Sequence, residues 1–191
     1  MKSILVALAL IAGITVTAQD KTQSFTVERT LNVPADAVWK IVGEDFADIA
    51  KSHPKLASSH YVDGTPKAGE GCERVCNLSE DGEKYTHEKM VDYDPVNYSF
   101  KAEISHVGGL PLDASQSYML YDVDAIDESS SRLTLHMVYL TDPAFMGGMV
   151  KGKFRKNISD YAIAIQHHAL TGEDVNPDNF KDIKKKYKKQ S

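Results

Sequence analysis

Cysteine is scarce in this chain, and the two present cannot serve the usual purposes. Of 191 residues only Cys72 and Cys76 carry thiols. Both fall in Gly69 to Met90, GEGCERVCNLSEDGEKYTHEKM, which reads as two strands joined by a tight turn. Four residues apart on one strand, their Cα atoms lie roughly 13 Å from each other at ~3.3 Å per residue. A disulfide needs less than about 7 Å. The expectation is therefore two unpaired, buried thiols that pack as small hydrophobes. The same separation disfavours zinc, and neither HExxH nor CxxC accompanies the pair. A Gly-rich phosphate loop, a Ser-His-Asp set and a paired-carboxylate hydrolase pattern are missing as well. These absences point away from nucleotide, metal and hydrolase chemistry and imply no cofactor. Internal repeats are also absent.

Apolar runs long enough to notice occur only at the start. Lys2 precedes an apolar stretch from Ile4 to Ile14, and Thr15-Val16-Thr17-Ala18 offers small residues before a cut near Gln19. Residues 1–18 read as a secretory signal peptide, too short to span a bilayer. The expected protein is exported, periplasmic or secreted, with no transmembrane segment in the mature chain. No cysteine near the cut supports a lipid anchor. Loss of Lys2 takes the formal charge from −5 to −6. Residues 181–191 contribute +5 of it, so residues 19–180 carry −11. So acidic a body excludes nucleic acid as the domain's partner. Residues 173–191 form a Lys-rich tail, which suits an anionic surface but by default is a solvated, frayed terminus.

Between these ends the periodicity changes twice. Phe25, Val27, Arg29, Leu31 and Val33 alternate with polar residues, as in a half-buried strand. Pro34 opens a helix through Trp39, closed by Gly43, and a second short helix carries Phe46 and Ile49. Six strands follow from Leu56 to Thr141, broken at turn signals such as Asp63-Gly64 and Asp81-Gly82. Asp142-Pro143 then starts a long helix with an apolar stripe from Met146 through Phe154 to Ala169, and Gly172 ends it. Gly147, Gly148 and Gly152 weaken its first turns, either for close packing on the sheet or for space beside a ligand. A seven-stranded antiparallel sheet curled around one amphipathic helix buries both apolar surfaces and leaves a cavity between them.

This order resembles the helix-grip fold of the START-like (SRPBCC) superfamily, which includes birch-pollen-allergen-like and polyketide cyclase/dehydrase-like proteins. The resemblance spans about residues 24–171. It is carried by Asn32-Val33-Pro34-Ala35-Asp36-Ala37-Val38-Trp39, Asp45-Phe46, His53-Pro54, Gly71-Cys72-Glu73-Arg74, Glu88, and Leu110-Pro111 before Tyr118. It sets the domain as residues 19–172. The Gly71–Arg74 strand and Glu88 are also similar to the branch holding plant abscisic acid receptors and lachrymatory factor synthase. That likeness implies a cavity-facing pair, Arg74 and Glu88, with Tyr118, His136 and Phe154 on the cavity wall. The receptors' Ser-Gly-Leu-Pro gate is replaced here by Ser79-Glu80-Asp81-Gly82, so hormone-style gating is not implied.

Three roles fit Arg74 and Glu88: a catalytic acid/base pair, a ligand anchor, or a structural ion pair. His53 is placed at a pocket mouth, and His167 with His168 as a solvated pair about 100° apart on the last helix. The reading favoured overall is a binding protein for an apolar small molecule or lipid. The alternative is a cofactor-free cyclase, dehydratase or isomerase in the same cavity. A third is a collapsed cavity serving as an interaction module.

Overall fold

In a computed structural model, which describes residues 22–187, the alternating stretch forms β1 (Gln23–Leu31). The expected signal peptide lies outside the described residues. Phe25, Val27 and Leu31 are buried, whereas Glu28 and Thr30 turn to solvent. Pro34 stays extended, with φ −56° and ψ 149°, and α1 (Ala35–Trp39) follows it. The chain continues through a π turn (Lys40–Glu44) into a 3-10 helix (Phe46–Lys51). Only glycine fits at Gly43, where a Cβ would stand 2.7 Å from the Trp39 ring.

Six further strands complete the sheet: β2 (Ser58–Tyr61), β3 (Glu73–Asn77), β4 (Tyr85–Asp94), β5 (Ser99–Gly108), β6 (Asp113–Asp127) and β7 (Ser130–Leu140). All pairs are antiparallel, in the order β1-β7-β6-β5-β4-β3-β2. Irregular register at His87/Glu88, Val91/Asp94, Asp113/Tyr118 and Ala125/Asp127 marks bulges, which bend a strand and raise its twist. The sheet curls around α2 (Gly147–Thr171), giving the expected helix-grip architecture. Pro143 is not in the helix: it remains extended at ψ 148°, and a 3-10 turn (Ala144–Met146) leads into α2. At the other end Gly172 takes φ 69° and its N–H donates to the His168 carbonyl at 2.8 Å. That is a left-handed cap, as the sequence predicted.

The main core joins α1, the sheet and the middle of α2 through Leu31, Val38, Trp39, Phe46, Phe100, Leu133, Leu135, Tyr161 and Ile165. Trp39 stacks on Tyr98 at 5.2 Å and Tyr93 at 5.5 Å, closing that end of the grip. Gly147 does pack closely, since a Cβ there would meet Gln23 at 2.9 Å. Gly148 and Gly152 have no described atom within 4 Å of a Cβ. Close packing explains neither.

The Lys-rich tail is not a frayed terminus over the described residues. Phe180–Tyr187 forms a third helix, α3, and docks on α2. Val175, Phe180, Ile183 and Tyr187 bury against Ile163 and Ala164 on a second apolar side of α2. His167 is accordingly not solvated. It is 1% exposed, with Nδ1 bonded to the Tyr187 hydroxyl at 3.0 Å and Nε2 to Glu173 at 2.9 Å. Buried Asp160 is gripped by Lys156 and Lys184. Before α3, Val175 pairs with Ser52, and its N–H donates to the Lys51 carbonyl at 2.8 Å.

Candidate ligand-binding cavity

The Asp81-Gly82 turn closes the β3–β4 hairpin, with Gly82 at φ 72° and the Leu78 N–H on the Lys84 carbonyl at 2.7 Å. That turn fixes the register and sets Arg74 directly opposite Glu88 on the concave face. Arg74 is 2% exposed. Its Nε and Nη2 donate to Glu88 Oε2 at 2.9 and 2.6 Å, and its Nη1 to the Phe46 carbonyl at 2.7 Å. The guanidinium also lies 3.8 Å over the Phe46 ring. Glu88 Oε1 accepts from Thr86 Oγ1 at 2.7 Å, so both carboxylate oxygens are satisfied.

These contacts decide the charge states. Burial alone would raise the Glu88 carboxyl, but the Arg74 charge and the bonds from Thr86 and Arg74 hold it below its ordinary value. Burial likewise works against a charged Arg74, yet Glu88 keeps it well above the usual range. The pair is therefore doubly ionised and internally neutral. Around it burial pushes the Tyr121 and Tyr161 hydroxyls up, and the Cys76 thiol up to about 12. Cys72 and Cys76 are both free and buried, as expected.

Above this patch lies a cavity of about 320 Å³. The sheet supplies Ala102, Ile104, Met119, Tyr121 and Met137; α2 supplies Val150, Phe154, Ile158 and Tyr161. Leu78, the Leu110–Leu112 turn, Lys55 and Lys153 frame the mouth, and its walls are mostly apolar. His53 lines the cavity half-buried, its ring 4.7 Å from Tyr161. Burial, then the Arg74 charge, drives its pKa down to about 3. The imidazole is neutral, and because Nδ1 accepts from the Lys55 N–H at 3.1 Å, the proton sits on Nε2.

Of the five side chains expected on the wall, Arg74, Glu88 and Phe154 are there. His136 is not: it pairs with Thr26 and Leu120 on the outer face, Nδ1 against Thr26 Oγ1 at 2.8 Å. Its neighbours Leu133, Leu135, Met137 and Tyr139 are the inward residues, and their alternation was visible in the sequence. Tyr118 borders the cavity, but its ring lies beneath Lys101 Nζ, 4.7 Å from the centroid, on the outward run with Leu120 and Asp122. The inward tyrosine is Tyr121, which approaches Arg74 Nη2 at 3.5 Å and stacks on Phe100 at 4.4 Å. Tyr121, Thr86 and Tyr161 were missed as polar members of the site. Among the described residues no three His, Cys, Asp or Glu groups cluster as a metal site, and no helix is long and apolar enough to cross a membrane.

Fold and site together define a helix-grip protein whose mostly apolar cavity holds one neutralised ion pair. Residues 22–162 match the family model described as polyketide cyclase / dehydrase and lipid transport, and the chain belongs to that family. A search of curated proteins returned no match. Among solved structures, Ara h 8.0201 is similar at 22% identity and TM-score 0.63, covering 78% of this chain and 99% of its own. The Zhui aromatase/cyclase from a Streptomyces species aligns at 16% identity and TM-score 0.63, covering 78% and 94%. Norcoclaurine synthase from Thalictrum flavum, solved with dopamine and hydroxybenzaldehyde, aligns at 18% identity and TM-score 0.58, covering 89% and 96%.

Proposed function

We propose that this chain is an exported binding protein for an apolar small molecule or lipid, held between the sheet and α2 with its polar end at Arg74 and Glu88. The observation that carries this reading is the cavity's composition, mostly apolar walls around a single polar patch whose charges satisfy each other. Such a patch offers hydrogen bonds to a ligand's head without leaving an unpaired charge in an apolar site. An ionised, fully bonded Glu88 is also a weak proton donor and a poor base. Family membership supports an apolar ligand. Export rests on the leader-like residues 1–18, and the secreted form should begin near Gln19 by intact mass.

The second reading, a cofactor-free cyclase, dehydratase or isomerase, draws on neutral His53 standing in the same cavity as Glu88. One variant separates the two. Organic extracts of natively purified protein, analysed by mass spectrometry, supply the ligand, which is then titrated into wild type and Glu88→Gln. A binder loses roughly 1–3 kcal/mol of affinity in Glu88→Gln. An enzyme keeps affinity but loses about 10²–10⁴-fold in rate. Extracts without any apolar molecule, together with no binding of an apolar dye, would defeat both readings.

A further inference from the structure

A second concavity lies on the far side of α2, where β1, α2 and α3 meet. It is an open groove of about 460 Å³, lined among others by Arg29, Arg155, Lys156 and Lys184. Glu28 and Asp160 are its only carboxylates among the described residues, an excess of two cations in a chain whose net charge is −5. The lysines are already engaged. Lys156 and Lys184 both grip Asp160, whose side chain is 3% exposed.

The two arginines meet only neutral partners among the described residues. Arg29 stands half-buried beside Val27, Ile163 and Tyr187, and among the described residues its one hydrogen bond runs from Nε to Gln166 Oε1 at 3.4 Å. Burial pulls its pKa down from the ordinary value, and no carboxylate among the described residues pairs with it. Arg155 lies across the Phe25 ring at 5.2 Å and donates from Nη1 to the Thr26 carbonyl at 3.1 Å, again without an acidic partner among the described residues. For half-buried Arg29, a partly desolvated guanidinium without a counter-charge is unfavourable. Its planar fork matches the oxygens of a tetrahedral oxyanion, which accepts two parallel N–H bonds. The excess of two positive charges matches a phosphate dianion.

From this juxtaposition we infer that the groove is a second binding site, which takes a phosphate-class oxyanion on Arg29 and Arg155. The anion is either free phosphate or the phosphate of a lipid headgroup. The site is independent of the cavity, and α3, which supplies Lys184 and Tyr187, lies beyond the family-matched residues 22–162.

The test uses the mature full chain at constant ionic strength. Inorganic phosphate is titrated against chloride while unfolding temperature and heat of binding are followed. A parallel arm measures sedimentation with phosphatidylglycerol vesicles and with phosphatidylcholine vesicles. The expected result is saturable phosphate binding, or capture by phosphatidylglycerol vesicles, weakened at least tenfold in Arg29→Gln while apolar dye binding in the cavity is unchanged. A response to phosphate alone assigns the free anion, and a response to vesicles alone assigns the headgroup. Should Arg29→Gln fail to fold, Arg155→Gln, whose side chain is exposed, carries the same comparison. No response in either arm overturns the inference. So does an undiminished response in the variant, since exposed lysines of α3 would then suffice.

Discussion

Arg74 shows what a single buried residue imposes on this fold. Its guanidinium is committed to Glu88, the Phe46 carbonyl and the Phe46 ring, so it ties β3 to β4 and to the 3-10 helix at once. Arg74→Ala strands the Glu88 carboxylate and should lower stability by about 3–5 kcal/mol, read from denaturant unfolding. Glu88→Gln, which keeps size and hydrogen bonding, should cost less. His53 makes a separate prediction. Folding holds it neutral, with a pKa of about 3 against an ordinary 6.5. Below pH 6.5 the unfolded chain therefore binds a proton that the native state refuses, and stability falls as pH drops from 6.5 toward about 3. Glu88, with its pKa depressed from 4.5, also loses its contribution on acidification, but only at lower pH. The slope of stability between pH 6.5 and 4.5 should thus be shallower in His53→Asn than in wild type. Equal slopes would mean that the imidazole is hydrated.

At the scale of elements, α3 is held by apolar contact more than by its lysines. Ile183 is 2% exposed between α2 and α3. Ile183→Ala should cost about 2 kcal/mol or more in unfolding free energy, whereas Lys185→Ala on the solvent side should change it by less than about 0.5 kcal/mol. Equal, negligible effects would show that the helix does not dock in solution. The stripe Phe180, Ile183, Tyr187 recurs at helical spacing and was available in the sequence. Its lysine-dense setting hid it, and with it the reason for a buried His167. The hairpin was legible because Asp81-Gly82 fixes its register, and every pairing from Arg74 to Glu88 follows from that turn. Tyr118 was legible only in part, since it borders the cavity while its ring turns outward beneath Lys101. An irregularity between Asp113 and Tyr118 resets the phase of β6, and a one-residue slip exchanges the two faces of a strand. His136 erred differently, through spacing carried from relatives against its own strand's alternation.

For the whole molecule, the cavity depends on side chains from opposite walls staying small enough to leave room between them. Ile104→Trp projects from β5 into that space and should abolish binding of an environment-sensitive apolar dye. Gly148→Phe serves as its control: with open space around its Cβ, it should leave dye binding intact. Loss of binding in both variants, or in neither, would place the apolar site elsewhere. The architecture itself was readable from the order of periodicities, because a sheet and one amphipathic helix have few ways to bury both apolar faces. The cavity's polar floor was only half readable, since Tyr121 and Tyr161 reach it from elements that the sequence presents as plain core.

The short pairing between Val175 and Ser52 joins two parts that otherwise share little. One is the strap leading to α3; the other is the segment that runs from the 3-10 helix into His53 and the cavity wall. Because the Val175 N–H is spent on the Lys51 carbonyl, it exchanges with solvent deuterium only when that strap parts. Its protection factor thus reports how readily the strap parts from the segment that leads into the cavity wall, whether or not any ligand has been identified.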